Sequence, residues 1–339
     1  MSLFRIGIIG MGTISHAHIE AVSELEDVSI VAVSDIKDCE ALDIPEGASF
    51  FSDYRKMLDT ASLDAVHICL PHYLHKEASE YAASHGVNVL CEKPVAMNRK
   101  EAESMASLQD RYGVTVAVCF QNRWNNTFRT LLDISKSGRE GKLLGIKGEL
   151  AWARDESYYS AAPWRGQMKY AGGGCLINQA IHTLDEVMML GGSVRSVKGV
   201  VANIRDLGID VEDTATANID FENGARAVIL VTNTNTINSS VEIEAAFEKA
   251  VYTIKDYKLY RADASNPINK ELIATDELRV GGKSYYGAGH RALIKDFYSY
   301  LRDGSGTVVS VSEASQSVKL IDAIRLSSEE GRAIEWSSL

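Results

Sequence analysis

The chain is poor in the residues that staple or interrupt a fold. Its 339 residues include five prolines and five cysteines, Cys39, Cys69, Cys91, Cys119 and Cys175, with no CxxC pair among them. An odd set lying mostly in apolar runs argues against a disulfide framework and for reduced, buried thiols, the pattern of a cytoplasmic protein. Positive charge is the scarcer sign: 35 Lys and Arg against 46 Asp and Glu leave a formal charge of -11. That balance repels phosphate backbones and anionic headgroups, so neither nucleic acid nor a membrane surface is expected as a partner. No apolar run is long enough to span a bilayer, and the first residues lack the basic region and cleavage site of a leader, so export is not expected. Internal repeats, low-complexity tracts and long Pro/Ser linkers are missing as well. What remains is 45% hydrophobic and 24% charged, a globular composition, over a length that favours two domains.

Short, β-branched apolar runs recur at Phe4 to Ile9, Val28 to Val33, Ala65 to Leu70, Val87 to Leu90 and Val114 to Phe120. Stretches of helical spacing separate them, among them Ser15 to Leu25 and Lys76 to Ser84. Strands that read as continuous apolar runs are those buried on both faces, so the first third predicts a doubly wound parallel sheet. After about Arg123 the pattern becomes alternating strands with short turns: Leu144 to Arg154, Val194 to Asn203, Thr214 to Phe221, Ala225 to Thr234, Val241 to Phe247 and Val251 to Ile254. Glu222-Asn223-Gly224 predicts a hairpin with a type I′ turn. Helices are expected at Cys175 to Leu190, His290 to Arg302 and Ser312 to Ser327. The expected division is 1–123 and 124–339, with a tight junction near Asn122 to Asn126 and a C-terminal helix able to pack back on the first domain. The second domain is α+β with an open, mainly antiparallel sheet. In the strand Ala225 to Val231 both faces are apolar, so a second subunit packing sheet on sheet is expected, as a homodimer or homotetramer.

The first strand ends in Gly10-Met11-Gly12-Thr13-Ile14-Ser15 and a helix follows. Gly10 allows the tight turn, Gly12 lets backbone approach a pyrophosphate, and the helix start offers free N–H groups and a positive dipole end. Ser15 stands where the fingerprint has a third glycine. Asp35 closes the second strand, about 20 residues on, where a carboxylate meets the adenosine ribose of a dinucleotide. The N-terminal domain therefore reads as a Rossmann domain binding through Gly10, Gly12, Thr13, Ile14 and Asp35. Asp35 repels a 2′-phosphate, which favours NAD over NADP, while Lys37 nearby pulls the other way.

Leu90-Cys91-Glu92-Lys93-Pro94 resembles the EKP motif of the glucose-fructose oxidoreductase / inositol dehydrogenase superfamily, Gfo/Idh/MocA. Further resemblances are Leu70-Pro71-His72 with His75, Trp164-Arg165-Gly166, Gly172-Gly173-Gly174 leading to His182 and Asp185, and Gly289-His290. The resemblance implies an NAD(P)-dependent oxidoreductase moving hydride between a nicotinamide and the hydroxyl-bearing carbon of a sugar, sugar derivative or cyclic polyol, with the substrate lying between the two domains. It also implies cofactor contacts from Leu70, Pro71, His75, Glu92, Lys93, Gln121, Trp164 and Arg165. Two other readings are open to this family: a non-enzymatic NAD-binding regulator, and a redox-neutral glycoside- or sugar-modifying enzyme that uses bound NAD.

Such a transfer needs the hydroxyl proton removed and the alkoxide stabilised. Lys93 ends a parallel strand, where ligands of open α/β sheets bind, and in the family the EKP lysine contacts the reacting hydroxyl. On one continuous helix, Asn178, His182 and Asp185 at i, i+4 and i+7 share a stripe. His182 suits a general base and takes the family's catalytic histidine position; Asp185 serves either to orient its ring or to pair locally. Asn178 stands where many relatives carry aspartate, and an amide positions a hydroxyl without accepting its proton. Lys93, His182 and Asn178 are thus the catalytic candidates, and Arg123 joins them as a substrate contact. Tyr158, Tyr159 and Tyr286 offer rings on which a sugar could stack, but tyrosines in an antiparallel domain more often pack, so they stand outside the catalytic set. The pairs His16/His18 and His72/His75 lack further ligands at metal spacing, so no metal is expected.

Overall fold

The computed structural model describes residues 3–277 and 289–339. Tyr286 and the final part of the expected substrate loop, 278–286, lie outside the described residues. The chain divides into two compact units, Met1–Gln121 with Gly289–Ser315, and Asn122–Ala288 with Gln316–Leu339.

The first unit is built on six parallel strands: β1 (Phe4–Ile9), β2 (Val28–Ser34), β3 (Ser49–Phe51), β4 (Ala65–Ile68), β5 (Asn88–Glu92) and β6 (Val116–Cys119). Their order, β3-β2-β1-β4-β5-β6, is that of a dinucleotide-binding sheet, with the strand order reversing between β1 and β4. β4 and β6 are buried at every residue, which is why they read as unbroken apolar runs. β3 went unread because three residues carry no period. Helix His72–Ser84 starts before its apolar spacing becomes visible because Pro71, with φ −59°, presets its entry. Helix Gly289–Asp303 buries Leu293, Ile294, Phe297 and Tyr298. Along it Arg291 pairs with Glu20 and Glu24, and Arg302 with Asp27, fixing it beside helix Ser15–Ser23.

The second unit carries β7 (Leu143–Ala151), β8 (Val194–Ala202), β9 (Thr214–Phe221), β10 (Arg226–Thr232), β11 (Glu242–Phe247), β12 (Ala250–Lys255), β13 (Lys258–Asp263), β14 (Asn266–Thr275) and β15 (Ile334–Glu335). They form one sheet in the order β14-β13-β12-β11-β7-β10-β9-β8-β15. It is mixed and mostly antiparallel, since β7 and β10 pair in parallel at its centre while their other neighbours run opposite. The helices and the β8–β9 hairpin between β7 and β10 supply the long crossover that a parallel pair requires. Ala227, Ile229 and Val231 are buried, whereas Val228 and Leu230 stay 54% and 40% exposed. Within one chain the sheet is therefore dry on one face only.

Two local expectations are corrected. The β9–β10 hairpin forms, but not with a type I′ turn: Gly224 has φ +88° and Asn223 is not among the positive-φ residues. Gly224 N–H bonds the Phe221 carbonyl and Phe221 N–H bonds the Ala225 carbonyl, the geometry of a type I turn closed by a glycine bulge. The two-residue turn with paired positive φ lies instead at Asp256 and Tyr257, at +52° and +60°. The expected helix Cys175 to Leu190 is also two helices, Cys175–Asn178 and Ile181–Gly191. Gln179 and Ala180 both donate to the Cys175 carbonyl, a widened turn that breaks the i, i+4, i+7 stripe.

Candidate functional site

In the first unit the glycine turn leaves the carboxyl end of β1 beside the reversal of strand order. Gly10 has φ +91°, and a Cβ there would sit 2.6 Å from the Cys69 carbonyl oxygen, so only glycine fits. Gly12 is exposed, and nothing lies within 4 Å of where its Cβ would be. That open space is what a pyrophosphate approaching the backbone requires. Ser15, in place of a third glycine, is buried and donates to the Gly12 carbonyl at 2.6 Å, which closes the turn from within. Ile14 precedes helix Ser15–Ser23 with no side-chain cap, so the dipole end keeps no competing oxygen. Asp35 follows β2 and accepts from Met11 N–H at 2.7 Å and Lys37 N–H at 2.9 Å, tying the glycine turn to the second strand. These residues fit a dinucleotide.

Leu70 and Pro71 follow β4, and His75 is fully buried beneath them. Its nitrogens lie 2.7 Å from the Leu70 carbonyl and 2.8 Å from that of Pro94. His75 thereby staples the β4 loop to the turn after β5, where the Lys93–Pro94 peptide is cis. Lys93 is partly buried at this strand end; desolvation pulls its pKa down and the neighbouring Glu92 carboxylate pushes it back up. Gln121 is buried just past β6.

Glu92 is placed unlike its neighbours. It is 5% exposed, and its Oε1 lies 3.1 Å from His18 Nε2 and 3.3 Å from His290 Nε2. Its Oε2 accepts from Lys93 N–H. His18 Nδ1 sits 2.9 Å from His67 Nδ1, and His67 Nε2 sits 2.7 Å from the Tyr298 hydroxyl. Burial opposes charge on Glu92, yet the two imidazoles outweigh it and hold the carboxyl well below its usual range. The three polar ends lie within 4.8 Å of one another, at separations of ordinary N–H···O bonds. Sequence reasoning missed this cluster: it paired His18 with His16, which is exposed, and gave His67 and Tyr298 no role.

In the second unit, a Glu212–Arg325 ion pair anchors the glycine run. Glu212 Oε1 accepts from Gly174 and Leu176 N–H and from Arg325, which also donates to the Gly172 carbonyl. From this platform helix Cys175–Asn178 presents Asn178, whose amide donates to the Tyr158 hydroxyl at 3.1 Å; Gln179 donates to the same oxygen at 2.9 Å. Arg165, in the Pro163–Gly166 turn with Trp164, lies over the Tyr158 ring at 4.5 Å and donates to its carbonyl. The structure thus brings Arg165 and Asn178 together through Tyr158, which the sequence left outside the catalytic set. His182 sits in the first turn of helix Ile181–Gly191, partly buried. Arg123 grips Asp185 in two 2.7 Å bonds. Next to it Glu186 is buried, and burial beside Asp185 holds its carboxyl well above the usual range.

A model of the oxidoreductase family with an NAD-binding Rossmann fold matches residues 4–120, and the GFO/IDH/MocA C-terminal domain matches residues 128–253. The chain is 29% identical over 281 residues to the uncharacterized oxidoreductase YrbE of Bacillus subtilis, covering 80% of this chain and 76% of that protein. It is 25% identical to the myo-inositol 2-dehydrogenase of Thermotoga maritima over 98% of each. Among solved structures, the WlbA dehydrogenase from Bordetella pertussis in complex with NADH and UDP-GlcNAcA superposes with a TM-score of 0.86 at 27% identity, over 98% of both chains. The chain belongs to the GFO/IDH/MocA family of oxidoreductases, with NAD(P) as its cofactor. No helix among the described residues is long and apolar enough to cross a membrane.

Proposed function

We propose that the protein is a dehydrogenase that oxidises a CH–OH group of a sugar, sugar derivative or cyclic polyol with NAD. The observation that carries this reading is Lys93, partly buried at the carboxyl end of β5 with its pKa pulled down by desolvation, one strand beyond the reversal point of a dinucleotide-binding sheet. The relatives named above, an inositol dehydrogenase and a dehydrogenase bound to a sugar nucleotide, support the substrate class. NAD(P), when bound, supplies the hydride acceptor.

The chain's own residues do the rest. The Lys93 ammonium donates a hydrogen bond to the substrate oxygen and stabilises the negative charge that develops there as its proton is removed. His182 takes the hydroxyl proton. Asn178, fixed by Tyr158, orients a neighbouring hydroxyl and leaves proton transfer to Lys93 and His182. Asp35, at the end of β2, disfavours a 2′-phosphate, so NAD is preferred over NADP. Trp164, Arg165, Gln121, Leu70, Pro71 and His75 shape the cofactor and substrate surroundings. Copies of the chain associate through the exposed face of the nine-stranded sheet.

The test is turnover on a panel of inositols, hexoses, glucosides and nucleotide sugars, with NADH followed at 340 nm. Lys93→Ala and His182→Ala are expected to lose at least about 100-fold in kcat, the size of a general acid or base contribution, while calorimetry still detects NAD binding. Normal turnover in both variants would remove the assignment.

A further inference from the structure

The partly buried arginines of the second unit divide by what meets them. Arg123, Arg261 and Arg325 each face a carboxylate, that of Asp185, Glu140 and Glu212 respectively, as the cost of drying a charge requires. Arg154 and Arg165 pair with no carboxylate among the described residues and flank one aromatic ring instead. Their guanidinium carbons lie 5.0 and 4.5 Å from the centre of the Tyr158 ring. Arg154 also lies 4.8 Å from the Trp152 ring, and Arg165 5.9 Å from that of Trp164. Aromatic faces attract a cation without neutralising it. Arg154 uses Nη1 on the Ala153 carbonyl and Asn238 Oδ1, and Arg165 uses Nη1 on the Tyr158 carbonyl; Nη2 of each meets no oxygen among the described residues. The Tyr158 hydroxyl is also left with a donor. Its oxygen accepts from the Asn178 and Gln179 amides, and Gln179 is turned to donate because its own carbonyl accepts from Asn233. A phenol oxygen with two N–H donors on its lone pairs has only its proton left to give, and that proton has no acceptor among the described residues.

We infer that Arg154, Arg165 and Tyr158 form an anion-binding subsite, so that the sugar or polyol oxidised by this chain carries a carboxylate or a phosphate. The inference deepens the dehydrogenase reading and rests on it, through Asn178 as a substrate contact. Guanidinium N–H pairs match such an oxyanion in both plane and charge, and the phenol proton adds a third donor beside them. In a chain of net charge -11, two partly buried cations with no acid between them stand out. The nearest acids in sequence, Asp155 and Glu156, are exposed, and Asp155 is committed to the Ser157 hydroxyl and the Tyr158 N–H. Asn178 shares the Tyr158 oxygen, so an anion held at the arginines belongs to the molecule whose hydroxyl Asn178 orients. A neutral sugar leaves both guanidiniums unpaired, which is the kind of penalty that separates substrates of similar shape. The pyrophosphate of the cofactor offers the same chemistry, and the experiment separates the two sources.

The test is calorimetric titration of the full chain loaded with NADH, which allows binding without oxidation, using glucose, myo-inositol, glucuronate, glucose 6-phosphate and UDP-glucuronate as probes. At least one anionic probe is expected to bind about 10-fold or more tighter than glucose, the scale of a charge-assisted pair of hydrogen bonds. Arg154→Met, which keeps an apolar stem against the rings, is expected to erase most of that preference, and Arg154→Lys to keep part of it. Tyr158→Phe keeps the ring and removes the proton, and is expected to weaken the anionic probe by about 3-fold. Equal affinities for anionic and neutral probes, binding by none of the anionic ones, or a preference undiminished in Arg154→Met overturns the inference. So does a loss of NADH affinity in Arg154→Met with probe affinities unmoved, which assigns the guanidinium to the cofactor. Should Arg154→Met not fold, ionic strength decides: raising salt from about 0.05 to about 0.5 M is expected to weaken the anionic probes and leave glucose unmoved, and an equal response of both overturns the inference. The readings fail separately: normal turnover in Lys93→Ala defeats the dehydrogenase site, and an absent anion preference defeats the subsite.

Discussion

The two sheets bury polar groups by different rules. In the six-stranded parallel sheet both faces are covered, and the ionisable side chains inside it gather around the carboxyl end of β5: Glu92 with His18, His67 and His290. In the nine-stranded sheet one face is dry, the other carries ion pairs such as Lys147 and Lys255 on Glu242, and the buried charges clamp loops beside the sheet, as Arg325–Glu212 and Arg123–Asp185 do. A parallel sheet gives polar groups few places except strand ends, which is also where ligands bind. A mostly antiparallel sheet has an open face for charge, so its buried pairs are free to shape the chain around a site.

The largest effect is expected where a clamp is half removed. Glu212 is buried and Arg325 partly so, and Glu212→Ala leaves the guanidinium uncompensated and the Gly174 and Leu176 N–H groups without their acceptor. A loss of about 3–5 kcal/mol in urea unfolding is expected. Adding Arg325→Met should return much of it, because the stranded charge is then gone. Gly174→Ala tests the same clamp from the backbone side: its Cβ would lie 1.8 Å from the Glu212 carbonyl oxygen, so the platform must shift, at a cost of roughly 1–3 kcal/mol. If Glu212→Ala leaves stability unchanged, the clamp does not hold the second unit together.

A second contrast is in acid response. His67 and Glu92 have folded-state pKa values below their unfolded values. The unfolded chain therefore binds more protons, and the first unit loses stability as pH falls, from about 6.5 downward for the histidine and from about 4.5 for the carboxyl. Glu186 has the opposite sign: its folded pKa is raised, so its contribution is present below about 4.5 and is lost as pH rises through the folded value. Hydrogen exchange read by mass spectrometry at pH 7.5 and 5.0 should show β1, β4 and β5 losing protection on acidification while helix Ile181–Gly191 keeps or gains it. His67→Phe should flatten the first unit's slope below pH 6.5, by at most about 1.4 kcal/mol per pH unit, the limit for one proton. Parallel loss of protection in both units would remove the distinction.

The sequence made the first sheet legible because strands buried on both faces announce themselves as apolar runs, and the glycine turn and Asp35 then fall in fixed places around them. β14 was lost because an exposed, polar edge strand carries no such signal, with seven consecutive exposed residues, and β13 because only Leu259 and Ala262 of its six residues are buried. The break at Gln179 and Ala180 was invisible because residues on both sides keep helical spacing. Only Tyr158 and Asn233, distant in sequence, show what draws Gln179 out: its amide donates to one and accepts from the other. The Glu92 cluster was illegible for the same reason, since His18, His67, Glu92 and His290 are joined only by the fold. The resemblance marks Glu92, Lys93 and His290 one by one, but nothing in the sequence joins Glu92 to His18 and His290, or Asn178 to Tyr158.

The smallest expected effect on the isolated chain, and the sharpest test of the open face, is at Val228 and Leu230. Both lie exposed on β10 with Val200 exposed on β8, opposite the dry face made by Ala227, Ile229 and Val231. Surface substitutions away from special contacts usually change stability by no more than about 0.5 kcal/mol. Val228→Lys with Leu230→Lys should therefore leave a monomer's unfolding midpoint almost unmoved. If copies pack through this face, two buried lysines per chain oppose association, and light scattering should show a lower mass for the variant than for wild type at equal concentration. Equal masses for the two, or a monomeric wild type, would leave this face to solvent and confine the contrast between the sheets to the single chain.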